Sequence, residues 1–149
     1  MITKEVANAG LTFCCLQEVK YLNSGKENIQ LDTGECYEFH WCGNKKRREA
    51  GVGFLIKVDP NIKIKDPDVQ DPRIMAMNLM VYGFNIRVIN VYAPTNCDSS
   101  ENKKNMFYRQ LTNACKKQEK HQKIIVAGDF NANTSVSFRK CDYNGENIV

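Results

Sequence analysis

The sequence contains no C-x-x-C pair, and its two histidines, His40 and His121, stand alone. Zinc centres are built from close Cys/His sets, so a structural zinc site is not expected. Seven cysteines are an odd number and cannot all pair within the chain. Cys14 and Cys15 are adjacent inside an apolar run, where a thiol packs as a small hydrophobe, while Cys36, Cys42, Cys97, Cys115 and Cys141 are scattered. Reduced thiols in an intracellular protein, nuclear or cytoplasmic, are the expectation. No apolar run approaches the roughly 20 residues of a spanning helix, so no membrane span is expected. Residues 1–6 lack the basic-then-apolar order of a secretory signal. There is no internal repeat, low-complexity tract or linker. Strong charge is lacking too: 21 basic against 17 acidic side chains leave +4, which permits a polyanionic partner without requiring one.

What is present is a pattern of apolar runs. At 149 residues, 42% hydrophobic, the chain is sized for one domain with a buried core. Ile2, Val6 and Ala9 recur at helical spacing, and Gly10 is a helix stop. Residues 11–17 read as a strand apolar on both faces. Residues 20–34 are polar and read as loop with a short helix. Strands are expected over 37–41 and 51–56, and over 74–82 and 84–92 with a tight hairpin at Gly83. Ala93-Pro94-Thr95 ends the last of these. Asp98-Ser99-Ser100-Glu101 has the form of a capping box with the acid at the N-cap, and Phe107, Leu111, Ala114 and Cys115 form the stripe of the helix that follows.

The run Ile124-Ile125-Val126-Ala127 leads into Gly128-Asp129-Phe130-Asn131. On a strand, Asp129 and Asn131 would share one face. A carboxylate beside a carboxamide can orient a water and stabilise charge on a phosphoryl oxygen. The plainer reading is a turn opened by Asp129, with Asn131 accepting its left-handed geometry. A second acid, Glu18, ends the earlier run over residues 11–17. Two strand tips offering oxygen ligands suggest metal-assisted phosphoester chemistry. Lys45-Lys46-Arg47-Arg48 could contact phosphates along a nucleic-acid backbone, or could be a solvated loop.

Four blocks occur in order: Leu16-Gln17-Glu18, Ala50-Gly51-Val52-Gly53-Phe54, Asn90-Val91-Tyr92-Ala93-Pro94-Thr95 and Gly128-Asp129-Phe130-Asn131-Ala132. Together they resemble the endonuclease/exonuclease/phosphatase family, above all the endonuclease domains of non-LTR retrotransposons and the related craniofacial development protein 2 group. Arg47-Arg48 before the second block and Phe107-Tyr108 after the third sharpen the likeness. The resemblance implies an α/β (α+β) fold, a four-layer sandwich of two mostly antiparallel sheets with outer helices. The many strands, hairpin and intervening helices agree with that. It further implies a Mg²⁺ ion, or Mn²⁺ in its place, held at Glu18. Tyr92 would donate to a phosphate oxygen, Asp129 would align or deprotonate the attacking water, and Asn131 would donate to the phosphorus centre. Phosphodiester hydrolysis of DNA, or of RNA, is the implied reaction, with Lys45, Lys46, Arg47 and Arg48 on the nucleic-acid backbone.

The chain also departs from the family pattern. No residue matches the asparagine of the family's first strand, and neither the later catalytic aspartate nor the closing Asp-His pair has a counterpart. His40 and His121 cannot stand in for that pair. Residues 1–149 are therefore expected to form a single incomplete domain, with uncovered sheet edges and a partner chain as one means of completing it. The alternative function is a catalytically dead, retroelement-derived remnant that binds nucleic acid or protein.

Overall fold

The computed structural model describes residues 2–65, 67–95 and 100–132. Eleven elements follow one another: α1 (Ile2–Asn8), β1 (Phe13–Gln17), β2 (Ser24–Gln30), β3 (Cys36–Cys42), β4 (Val52–Lys57), β5 (Ile62–Ile64), β6 (Asp68–Asp71), β7 (Ile74–Val81), β8 (Phe84–Tyr92), α2 (Glu101–Lys116) and β9 (Lys123–Asp129). They make two sheets. The first has the order β1-β4-β3-β2 and is antiparallel throughout. The second has the order β5-β7-β8-β9, with β6 also on β7, and only its β8–β9 pair is parallel.

Alternation along the strands builds the layers. On β4, Val52, Phe54 and Ile56 face inward; they meet Met75, Met77 and Leu79 of β7 and Val88 of β8 to form the core between the sheets. The opposite faces carry the outer layers. Ile74, Ala76, Ile89 and Val91 receive Phe107 and Ala114 of α2. Tyr37, Phe39 and Leu55 receive Val6 of α1. Each such fully buried large side chain contributes about 1.5–3 kcal/mol of transfer free energy. The result is the helix–sheet–sheet–helix sandwich that the family resemblance implies.

Several local expectations change. Residues 20–34 hold a strand, β2, in full register with β3 from Ser24↔Cys42 to Gln30↔Cys36. Its exposed, polar composition hid it: edge pairing overrides a weak intrinsic preference. The short strands β5 and β6 were not expected either. The hairpin at Gly83 is as read, with Tyr82 (φ 48°) and Gly83 (φ 86°) both left-handed, as a two-residue I′ turn requires. Helix α2 starts at Glu101, so its N-cap is Ser100, which makes no side-chain cap bond, and not the acid at 98. Asp98 lies outside the described residues. Cys14 and Cys15 pack as hydrophobes, and burial, with Cys14 adding, pushes the Cys15 thiol up to about 12. Among the described residues no helix is long and apolar enough to cross a membrane, β1 pairs only with β4, and β9 pairs only with β8. Ile125 and Val126 of β9 are exposed.

Candidate active site

At one end of the sandwich, three turns lace together. After β1 the chain bends sharply: Glu18 (φ 52°) and Lys20 (φ 55°) are both left-handed. The Val19 N–H donates to Gly51 O at 3.2 Å and the Lys20 N–H to Ala50 O at 3.1 Å. Gly51 in turn donates to Pro72 O at 3.1 Å, which ties in the turn before β7. Non-glycine residues held at positive φ cluster where a fold fixes a functional side chain. Here they turn Glu18 out of the β1 ladder and toward β8.

There the Tyr92 hydroxyl donates to Glu18 Oε1, and Lys20 Nζ stands 3.4 Å from Glu18 Oε2. The Tyr92 hydrogen bond, with Lys20 and the Arg73 charge adding, holds the Glu18 carboxyl below the usual glutamate range. The same bond, together with burial and the nearby Glu18 and Asp129 charges, holds the Tyr92 phenol above the usual tyrosine value. Arg73 sits behind Tyr92. Its Nη1 donates to Tyr92 O at 3.2 Å and Ala93 O at 3.4 Å, and its guanidinium carbon lies 5.0 Å from the Tyr92 ring centroid. That is a cation–π distance.

Asp129 stands beside Tyr92. It is the register partner of Tyr92 on the parallel rung, and its carbonyl accepts the Ala93 N–H at 2.8 Å. Gly128 makes this approach possible. A Cβ there would lie 2.0 Å from Val91 O, and its φ of 139° excludes ordinary side chains.

A cleft of about 610 Å³ opens over the group, lined by Glu18, Tyr92 and four cations: Lys20, Arg48, Arg73 and Lys103. Two more acids, Asp71 and Glu49, line it as well. Its wall on α2 is a face at helical spacing, Lys103, Met106, Phe107 and Gln110.

Of the expected site residues, Glu18, Tyr92 and Asp129 gather at this end. Asn131 does not share a strand face with Asp129. The strand ends at Asp129, Asn131 is left-handed (φ 46°), and its N–H donates back to Asp129 Oδ1 at 2.8 Å. Its side chain donates to Ala93 O at 2.7 Å and borders a neighbouring groove beside Pro94 and Phe130. The turn chemistry of an Asx pair therefore wins over strand alternation. Lys45, Lys46 and Arg47 are exposed in a turn whose N–H groups at 46 and 47 are capped by Asn44 Oδ1. Only Arg48 of the basic run lines the cleft. Arg73, Lys20 and Lys103 went unread. A charged residue leading into the buried run of β7 was the available signal for Arg73; Lys103, one turn before Phe107 on α2, had only its helical position.

A model of the Endonuclease/Exonuclease/phosphatase family matches residues 2–140. The chain belongs to this family. Among curated proteins it is similar to craniofacial development protein 2 of Bos taurus, 24% identical over 132 residues, which is 89% of this chain and 21% of that protein. The same protein of Tragulus javanicus is 23% identical over 132 residues, 89% of this chain and 22% of the relative. The chain thus spans about a fifth of the length of the curated relatives it matches. Phosphoester hydrolysis is the chemistry of the endonuclease/exonuclease/phosphatase family, and its members generally depend on a divalent metal.

The residues here can be tested against such an ion. Among the described residues no three His, Cys, Asp or Glu side chains stand together as a metal cage. Glu18 nevertheless offers a hard, exposed carboxylate at the cleft. Mg²⁺ is commonly held by one or two carboxylates plus water and substrate phosphates. The donor set fits an ion shared with a substrate, not one caged by protein.

Proposed function

We propose that the cleft takes the phosphodiester backbone of DNA and serves its Mg²⁺-dependent hydrolysis. The observation that carries this reading is the Tyr92 hydroxyl bonded to Glu18 in a cleft lined by four cations, with Asp129 on the adjoining rung. Lys20, Arg48, Arg73 and Lys103 attract the polyanion and hold phosphates by charge. Tyr92 is a neutral phenol at pH 7 and donates to a non-bridging phosphate oxygen as charge grows there. Asp129, its Oδ1 anchored by the Asn131 N–H, takes a proton from the attacking water. Glu18 would hold the Mg²⁺ ion, which supplies Lewis-acid neutralisation of the phosphate when bound. Asn131 has a positioning part in this scheme, since its amide is committed to Ala93 O.

One observation favours a second reading, a nucleic-acid-binding module without turnover: the Glu18 carboxylate is already engaged by Tyr92 and Lys20, and no further acid joins it in a metal-holding group among the described residues. Nicking of supercoiled plasmid separates the two. The hydrolysis reading expects Mg²⁺-dependent open circles, reduced roughly 10²-fold in Asp129→Ala and in Glu18→Gln. Equal inertness of wild type and Asp129→Ala at high protein concentration, with DNA still bound in fluorescence anisotropy, sinks hydrolysis and leaves binding.

A further inference from the structure

The inward face of β8 presents Ile86, Val88, Asn90 and Tyr92. Three of these pack on the core between the sheets. Asn90 is a carboxamide with 0% of its surface exposed. Burying an amide is unfavourable unless protein groups replace its water. Here they do. Asn90 Nδ2 donates to Leu16 O at 2.9 Å and to Gly53 O at 2.7 Å, and its Oδ1 accepts from Gln17 Nε2 at 2.6 Å. Leu16 and Gly53 face each other in the β1–β4 ladder. One side chain of the second sheet therefore grips two neighbouring strands of the first, β1 and β4, at a single rung.

Two residues beyond Leu16 and two beyond Asn90 comes the next tie between the sheets, Glu18, just past the end of β1, with Tyr92. The two ties share one register. A strand rises roughly 3.3 Å per residue and its side chains alternate in facing. A slip of one residue between β1 and β8 would exceed a hydrogen bond's tolerance and part the second pair. An apolar residue at 90 would fill the same space between the sheets without fixing their offset.

We infer that Asn90 is a positioning residue: its clamp on Leu16 and Gly53 sets the offset between the two sheets at which Tyr92 meets Glu18, and Gln17 orients the clamp. The inference rests on reading Glu18 and Tyr92 as one site, but its test does not require turnover.

The test is NMR of the full chain at fixed neutral pH, following the Tyr92 hydroxyl proton, identified by its loss in Tyr92→Phe and in Glu18→Gln. In wild type this proton is expected to be protected from exchange. In Asn90→Ala that keeps native circular dichroism, it exchanges roughly tenfold faster or disappears, as expected when one hydrogen bond is lost. A folded Asn90→Ala with unchanged protection overturns the inference. Should Asn90→Ala not fold, Gln17→Leu decides. Faster exchange supports the inference, and exchange as in wild type overturns it. A wild-type chain that nicks no plasmid yet shows the Asn90 effect loses the hydrolysis reading and keeps this one.

Discussion

At neutral pH Tyr92 is a donor looking for charge, and Glu18 is the charge it finds. Removing the hydroxyl alone tests how much that matters. Tyr92→Phe keeps the ring on Arg73 and loses one donor to a developing oxyanion. Nicking is expected to fall roughly 10²-fold, with DNA affinity changed less than threefold, about the division expected of a group that acts in the transition state. The pair also has a pH signature. Because Glu18 is held below its ordinary value, its contribution to stability is complete above the usual glutamate range and is lost as pH falls through the lowered value. Tyr92 is held above its ordinary value, so its contribution is complete below the usual tyrosine range and is lost as pH rises through the raised one. Urea melts of wild type and Glu18→Gln should therefore differ by a constant amount from about pH 6 to 8 and converge as pH falls from the usual glutamate range through the lowered value. A gap that widens on acidification would show the coupling to be wrong. At this scale the sequence pointed to Glu18 and Asp129 because each ends an apolar run, and to Tyr92 only through the family resemblance; the structure brings the three to one end. Of the two readings of Asn131 the turn holds and the shared strand face does not, because the strand ends two residues earlier, at Asp129. Arg73 was missed because its role depends on two carbonyls and a ring from the next strand.

Among the elements, β8 and β9 decide the site, because their parallel pairing puts Tyr92 opposite Asp129. Gly128 permits that closeness, so Gly128→Ala is expected to destabilise the protein by about 3 kcal/mol, combining left-handed strain with a clash against Val91 O. Chemical denaturation measures the loss. A change under about 0.5 kcal/mol, ordinary for a surface site, would mean that the strands do not approach so closely. Elements with apolar runs or helical spacing were readable: β1, β3, β4, β7, β8, β9 and both helices. The strands β2, β5 and β6 were not, because a polar, half-exposed segment takes its conformation from the neighbour it pairs with and not from its own side chains.

Across the whole molecule the two ends of the sandwich differ. The end away from the cleft is sealed by Arg87, which is buried and donates to Ala114 O, Asn78 Oδ1 and Asp68 Oδ2 at 3.1, 2.9 and 2.8 Å. Lys117 joins Asp68 there from the end of α2. The cleft end gathers its cations around open space. DNA binding through that end should weaken with salt, with a slope of log K against log salt of roughly −2 to −4 for up to four neutralised phosphates. Anisotropy titrations at several salt concentrations give the slope. Arg48→Ala should reduce it, whereas Lys45→Ala should leave it unchanged, because only the first of these lines the cleft. A slope near zero would remove the cleft as the binding surface. The layering was implied by the family resemblance, with which strand count and alternation agreed, but this polarity of the ends was not legible, since it arises from residues brought together across both sheets. The parallel β8–β9 pair carries one more consequence, in time and not in space. The β7–β8 hairpin closes through a two-residue turn, but β9 reaches β8 only after α2 has crossed over the sheet. Distant pairings of this kind form late when a chain refolds. In stopped-flow refolding, a probe on the hairpin should settle before one beside Asp129, so the acid paired with Tyr92 is the last part to be delivered.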